Sequence, residues 1–110
     1  MGSSQIADQA FKVRTSNLSS LVDQIHAVRK KGIDVVLVSS GAIALGMGEL
    51  GEKKRSSELS ELQARAAIGQ TVLMHTYREL FKEFSLKCAQ VLLTWDDFSN
   101  RARLSLIHIL

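Results

Sequence analysis

The chain has 110 residues, 45% of them hydrophobic and 23% charged. That balance fits one globular domain with a modest core, and it excludes a disordered tail, a collagen-type repeat and a cysteine-stapled module. The formal charge of +3 comes from 14 basic and 11 acidic side chains interleaved along the chain, which argues against a nucleic-acid surface.

The single cysteine, Cys88, has no partner for an intramolecular disulfide and fits a reducing compartment such as the cytoplasm. Apolar runs are strand-length, well short of the ~20 residues of a membrane span. The N-terminus lacks the basic-then-apolar order of a signal peptide. Proline is absent, so turns fall to glycine and small polar residues, and five of the seven glycines lie between Gly32 and Gly51.

At the start, Gly2-Ser3-Ser4 reads either as a phosphate cradle, if a strand precedes it, or as a Gly-Ser tag. A helix is predicted from about Ser16 to Lys30. Leu18, Leu21, Val22, Ile25 and Val28 share one face of a 3.6-residue period. Ser16 or Asn17 is the expected cap, and Gly32 the left-handed stop. The β-branched run Ile33 to Val38 then reads as a strand buried on both faces. A sharp turn at Ser39-Ser40-Gly41-Ala42 leads into a short helix, Ile43 to Met47. Gly46, Gly48 and Gly51 are expected to break it into a loop carrying Glu49 and the basic stretch Lys53 to Arg55.

Two helices are predicted next. The first starts at Ser56 or Ser57, with Leu59, Leu62, Ala66 and Ala67 facing inward. A bend near Gly69 leads to the second, Gln70 to Phe84, striped by Leu73, Tyr77, Leu80, Phe81 and Phe84. The low bulk of Ala64, Ala66, Ala67 and Gly69 permits a close helix contact. A last strand, Cys88 to Thr94, ends at Trp95-Asp96-Asp97, and the tail runs from Phe98 to the apolar stretch Leu104 to Leu110. Two interior-type strands need more neighbours than they can give each other, so further sheet is expected from beyond this segment or from partner chains.

Three places carry chemistry. At Ser39-Ser40-Gly41-Ala42 a strand delivers hydroxyls and a glycine to a helix start, where free amides favour a carboxylate or phosphate. A simple helix cap uses the same residues for no ligand. Gly2-Ser3-Ser4 is the second, though no Walker-type or dinucleotide fingerprint is present. The third is Thr94 to Asn100, where Asp96 and Asp97 serve as substrate contacts or as a helix cap, with Arg101 and Arg103 as partners. His26, His75 and His108 are too widely spaced for a zinc site. Cys88, Trp95 and Tyr77 read as packing groups. No residue stands out as a catalytic acid, base or nucleophile.

Taken together, Val35 to Gly46 with Leu50-Gly51, then Gln63 to Gln70 with Leu73-Met74, then Gln90 to Thr94 with Asp97 to Arg101 and Arg103, resemble three ordered motifs of the glutamate 5-kinase group of amino-acid kinases. The resemblance covers roughly residues 2 to 103. It implies a three-layer α/β/α sandwich with a mostly parallel sheet, truncated at both ends. Residues 1–110 would form one partial domain, the N-terminal, glutamate-binding portion. The implied activity is ATP-dependent phosphorylation of the L-glutamate side-chain carboxylate in proline biosynthesis, with Mg2+ arriving alongside ATP.

On the same resemblance Ser40, Gly41 and Ala42 hold glutamate, and Gly2, Ser3 and Ser4 line the phosphate path. The full-length enzyme would be cytoplasmic, with homo-oligomers possible, and with no nucleic-acid or membrane partner. Two departures stand out: the lysine expected two positions ahead of Gly2 is not in the chain, and the sequence after Arg103 diverges. The expected consequence is a fragment inactive alone. The alternatives are a non-catalytic amino-acid-binding or assembly fragment, and the kinase part of a bifunctional pyrroline-5-carboxylate synthase.

Overall fold

The computed structural model describes residues 2–8, 12–52, 54 and 57–91. Four helices account for its regular structure: α1 (Ser3–Ile6), α2 (Thr15–Arg29), α3 (Ala42–Glu49) and α4 (Leu59–Lys82). α1 packs on α2, α2 on α4, and α3 most extensively on α4.

The periodicity of α2 predicts its buried face well. Leu18 and Val22 are buried, while Leu21 and Ile25 are half-buried against the same core. The cap differs from expectation. Arg14 holds the cap position without a side-chain hydrogen bond, and Ser16 and Asn17 lie inside the first turn. Asn17 instead donates its side-chain amide to the Gln5 carbonyl at 3.0 Å, tying α1 to α2. Gly32, at φ 78°, ends the helix as expected.

α3 is longer than predicted because Gly46 and Gly48 continue it. Gly51, at φ 69°, follows its end. α4 runs unbroken through 24 residues, so Gly69 marks no bend. Leu73, Tyr77 and Phe81 form its buried stripe, and Leu80 and Phe84 pack beside them. Leu59, expected inward, is 70% exposed. The helix closes with the Leu86 amide bonded to the Phe81 carbonyl at 3.1 Å and Ser85 at φ 56°, a Schellman-type ending.

The largest correction concerns the sheet. The described residues contain no β-strand and hence no three-layer α/β/α sandwich. They hold only an isolated antiparallel bridge, Ala7 to Val13. Residues 33–40 belong to no ladder, and Ile33, Val36 and Val38 are 52%, 65% and 79% exposed. A strand completes its backbone hydrogen bonds only with a neighbouring strand about 4.8 Å away, and this segment pairs with no strand among the described residues. Residues 88–91 of the other expected strand are likewise irregular; its continuation, residues 92–94, lies outside the described residues. The core is instead one helical cluster of Ile6, Leu18, Val22, Leu45, Leu73, Tyr77 and Phe81.

Candidate functional site

The turn at Ser39–Ala42 leads into α3 through Gly41, whose φ of 99° lies in the left-handed region. An L side chain there costs roughly 1–2 kcal/mol, so glycine is what allows the chain to enter the helix at this angle. The first intrahelical bond, from the Leu45 amide to the Gly41 carbonyl, is 3.1 Å long. The cap position is held by Gly41, which has no side chain of its own to bond the first-turn amides. The first-turn amides of α3 present partial positive charge at the turn. Ser40 is exposed, and Gly41 and Ala42 are half-buried.

What holds this turn is α4. A Cβ on Gly69 would lie 1.6 Å from the Ala42 carbonyl oxygen and 2.5 Å from the Gly46 amide nitrogen. One on Gly46 would lie 1.9 Å from the Arg65 carbonyl oxygen. The helices thus cross backbone against backbone, each using its glycine where the other presses. The low bulk at Gly69 signals this contact in the sequence. Gly46, expected as a breaker, carries no such local signal.

A second tie fastens the segment after α3. Arg65 donates through Nη2 to Glu52 Oε1 at 2.7 Å and through Nε to Oε2 of the same carboxylate. Its Nη1 reaches Glu61 at 3.4 Å. Hydrogen bonding to Glu52 is the main reason the guanidinium is held above its usual range. This two-pronged pair, joining residues 13 apart, is invisible to periodicity.

Tyr77 was expected only to pack. It is 4% exposed, and its hydroxyl is buried without a hydrogen bond. A buried polar group left in that state costs about 1–3 kcal/mol. Burial pushes the phenol above its ordinary range.

The other sequence candidates sit elsewhere. Gly2 is exposed with open space around it, Ser3 begins the one-turn α1, and Ser4 is exposed on it. They belong to the α1–α2 pair, whereas Ser40 to Ala42 belong to the α3–α4 pair. Cys88 is half-buried and lines a shallow cavity of about 300 Å³ with Met74, His75 and Arg78. His26 stacks on Phe84 with ring centroids 4.2 Å apart. The expected Thr94–Asn100 site with Arg101 and Arg103, as well as His108, Lys53 and Arg55, lies outside the described residues.

Residues 2–108 match the model of the amino acid kinase family. The chain is 46% identical over 103 residues to a glutamate 5-kinase of Teredinibacter turnerae, covering 94% of this chain and 28% of that relative. It is 56% identical over 82 residues to one of Methylococcus capsulatus, covering 74% and 22%. With the glutamate 5-kinase of Chromohalobacter salexigens it shares 48% over 103 residues, covering 94% and 27%. It therefore spans roughly a quarter of the length of these relatives. The match spans α2, the Ser39–Ala42 turn, α3 and α4, and on that ground the chain belongs to the amino acid kinase family.

Proposed function

We propose that this chain supplies the glutamate-binding portion of a glutamate 5-kinase. In that reaction a side-chain carboxylate oxygen of L-glutamate takes the terminal phosphoryl group of ATP. A carboxyl–phosphate bond forms as the bond to ADP breaks, giving L-glutamyl 5-phosphate. Phosphoryl transfer of this kind depends mainly on alignment and charge stabilisation.

The observation that carries the reading is the α3 N-terminus, where the cap position is a glycine with no side chain and Gly69 of α4 presses against the Ala42 carbonyl. Backbone amides in a helix's first turn, together with the helix dipole, favour a carboxylate. Ser40 contributes a hydroxyl donor, and Gly41 removes the side chain that would screen the amides. The relatives' name, glutamate 5-kinase, supplies the carboxylate's identity. Gly2, Ser3 and Ser4 are assigned to the phosphate path on the family motif alone.

ATP brings magnesium in this chemistry. Among the described residues no group of three or more His, Cys, Asp or Glu side chains is arranged to hold a metal. No step is assigned to the metal. No described helix is long and apolar enough to cross a membrane. A cytoplasmic, self-associating full-length enzyme is part of the same proposal.

Calorimetric titration of the 110-residue chain with L-glutamate tests the reading. The expected result is saturable 1:1 binding, weakened at least tenfold by Gly41→Val, with no ADP release when MgATP is added. Absence of binding in the folded chain overturns the glutamate assignment. Turnover with ATP overturns the view that the chain binds without catalysing.

A further inference from the structure

Little within α3 holds it in place. It is two turns long and carries Gly46 and Gly48 inside them, whereas an isolated helix shorter than about 12 residues is marginal in water even when built of good helix formers. It ends in a Schellman-type turn: Gly51 takes φ 69°, and the Glu52 amide donates to the Met47 carbonyl at 2.9 Å. That turn sets Glu52 just beyond Glu49, at the negative end of the helix dipole, where α3 has no basic residue of its own. A carboxylate in that place is unfavourable unless a cation meets it. Arg65 of α4 is such a cation. Its side chain is 13% exposed and its fork reaches both oxygens of the Glu52 carboxylate. Glu61, one turn back on α4, approaches the same guanidinium at 3.4 Å.

Through two residues one turn apart, α4 thus meets α3 at its start, its middle and its end. Gly69 abuts the Ala42 carbonyl, the Arg65 carbonyl abuts Gly46, and the Arg65 side chain takes Glu52. The first two contacts are steric and set how near the helices lie. The third is directional, and it acts at the end of α3 opposite the Ser39–Ala42 turn. We propose that Arg65 is a positioning residue for the anion-receiving turn: by clamping Glu52 with two hydrogen bonds it fixes the rotation of α3 on α4, and with it the direction in which the first-turn amides point. This deepens the glutamate-binding reading and rests on it. A two-pronged pair of guanidinium and carboxylate constrains angle as well as distance. A lysine ammonium would keep the charge and lose the angular constraint. Arg65 acts through α3 and not on the ligand itself.

The test uses the 110-residue chain with Arg65→Gln, Arg65→Lys, Glu52→Gln and the double variant Arg65→Gln/Glu52→Gln, each read well below its melting temperature. None of these changes adds or removes an atom at Gly46 or Gly69. Without ligand, amide hydrogen exchange is read at Leu45, whose amide closes the first turn of α3, and at Gly46. Arg65→Gln and Glu52→Gln are each expected to speed exchange there about tenfold while Leu73 and Tyr77 in α4 keep their rates. Unchanged exchange in α3 overturns the inference, and so does equal acceleration in both helices, which a merely stabilising pair predicts. With L-glutamate, Arg65→Gln and Glu52→Gln are expected to weaken binding about three- to tenfold, and the double variant no further than the weaker single one. Additive losses, or none, overturn it. Arg65→Lys is expected to weaken binding at least about twofold despite its retained charge; wild-type affinity in that variant overturns the angular role. If the wild-type chain fails to bind glutamate, the substrate assignment falls, while the exchange measurement still decides whether Arg65 holds α3.

Discussion

The α3–α4 crossing and the segment 33–40 lie next to each other in sequence and have opposite fates. At the crossing, two helices approach until a single added carbon on Gly69 would fall 1.6 Å from a carbonyl oxygen. In the segment, a β-branched run that reads as core lies open, with Val38 at 79% exposure. The helices complete their backbone hydrogen bonds within themselves and need only a partner for one face. The run 33–38 needs neighbours for its backbone as well as its side chains. Hydrophobicity alone therefore does not bury a segment; its backbone must also be satisfied where it is buried.

That contrast can be broken experimentally, beginning with the crossing. Gly69→Ala removes a helix-weakening residue and by propensity alone would stabilise α4 by about 1 kcal/mol. Because the methyl group meets backbone, which has little room to yield, we expect a net loss near the upper end of the overpacking range, about 3 kcal/mol. Urea unfolding followed by circular dichroism measures it, and a stabilised variant would show that the helices do not touch here. Next comes Gly41→Ala, expected to cost about 1–2 kcal/mol through its left-handed φ. The same melts read it, and a change below about 0.5 kcal/mol would mean that the turn enters α3 differently.

Alkaline pH probes the polar end of the same helix stripe. The Tyr77 phenol is held above its ordinary range by burial, so the folded state favours its neutral form. This contribution is fully present below the unfolded phenol's value near 10 and is lost as pH rises through the folded one. Tyr77→Phe should therefore lose less stability than wild type between neutral pH and about pH 11. Identical losses in the two proteins would place the phenol in solvent. The smallest effect is expected in the open segment. Val36→Thr at 65% exposure should change stability by no more than about 0.5 kcal/mol; a loss above about 1.5 kcal/mol would show that the run is buried after all.

The residues of the candidate site differ in how plainly the sequence announces them. Ser40-Gly41-Ala42 is legible because a glycine after hydroxyl residues, placed between an apolar run and a helix, has few other conformational uses. Gly69 is half legible: low bulk suggests closeness, yet glycine also suggests a bend, and only the partner helix decides between them. Tyr77 reads as packing because periodicity reports which face a residue occupies and says nothing about where its hydroxyl ends. The Arg65–Glu52 pair spans a loop, and no local rule links two residues 13 apart.

From the order of residues alone follow the positions of α2 and of the buried stripe of α4, the left-handed stop at Gly32 and the family to which the motifs belong. Each rests on interactions within a few residues or on a motif read letter by letter. Tertiary structure alone decided that α4 runs straight through Gly69, that Gly46 continues a helix, that the Tyr77 hydroxyl is buried without a hydrogen bond, and that Ile33, Val36 and Val38 stay exposed. Those outcomes depend on which distant backbone comes close enough to touch, and contacts of that kind are a property of the assembled helices.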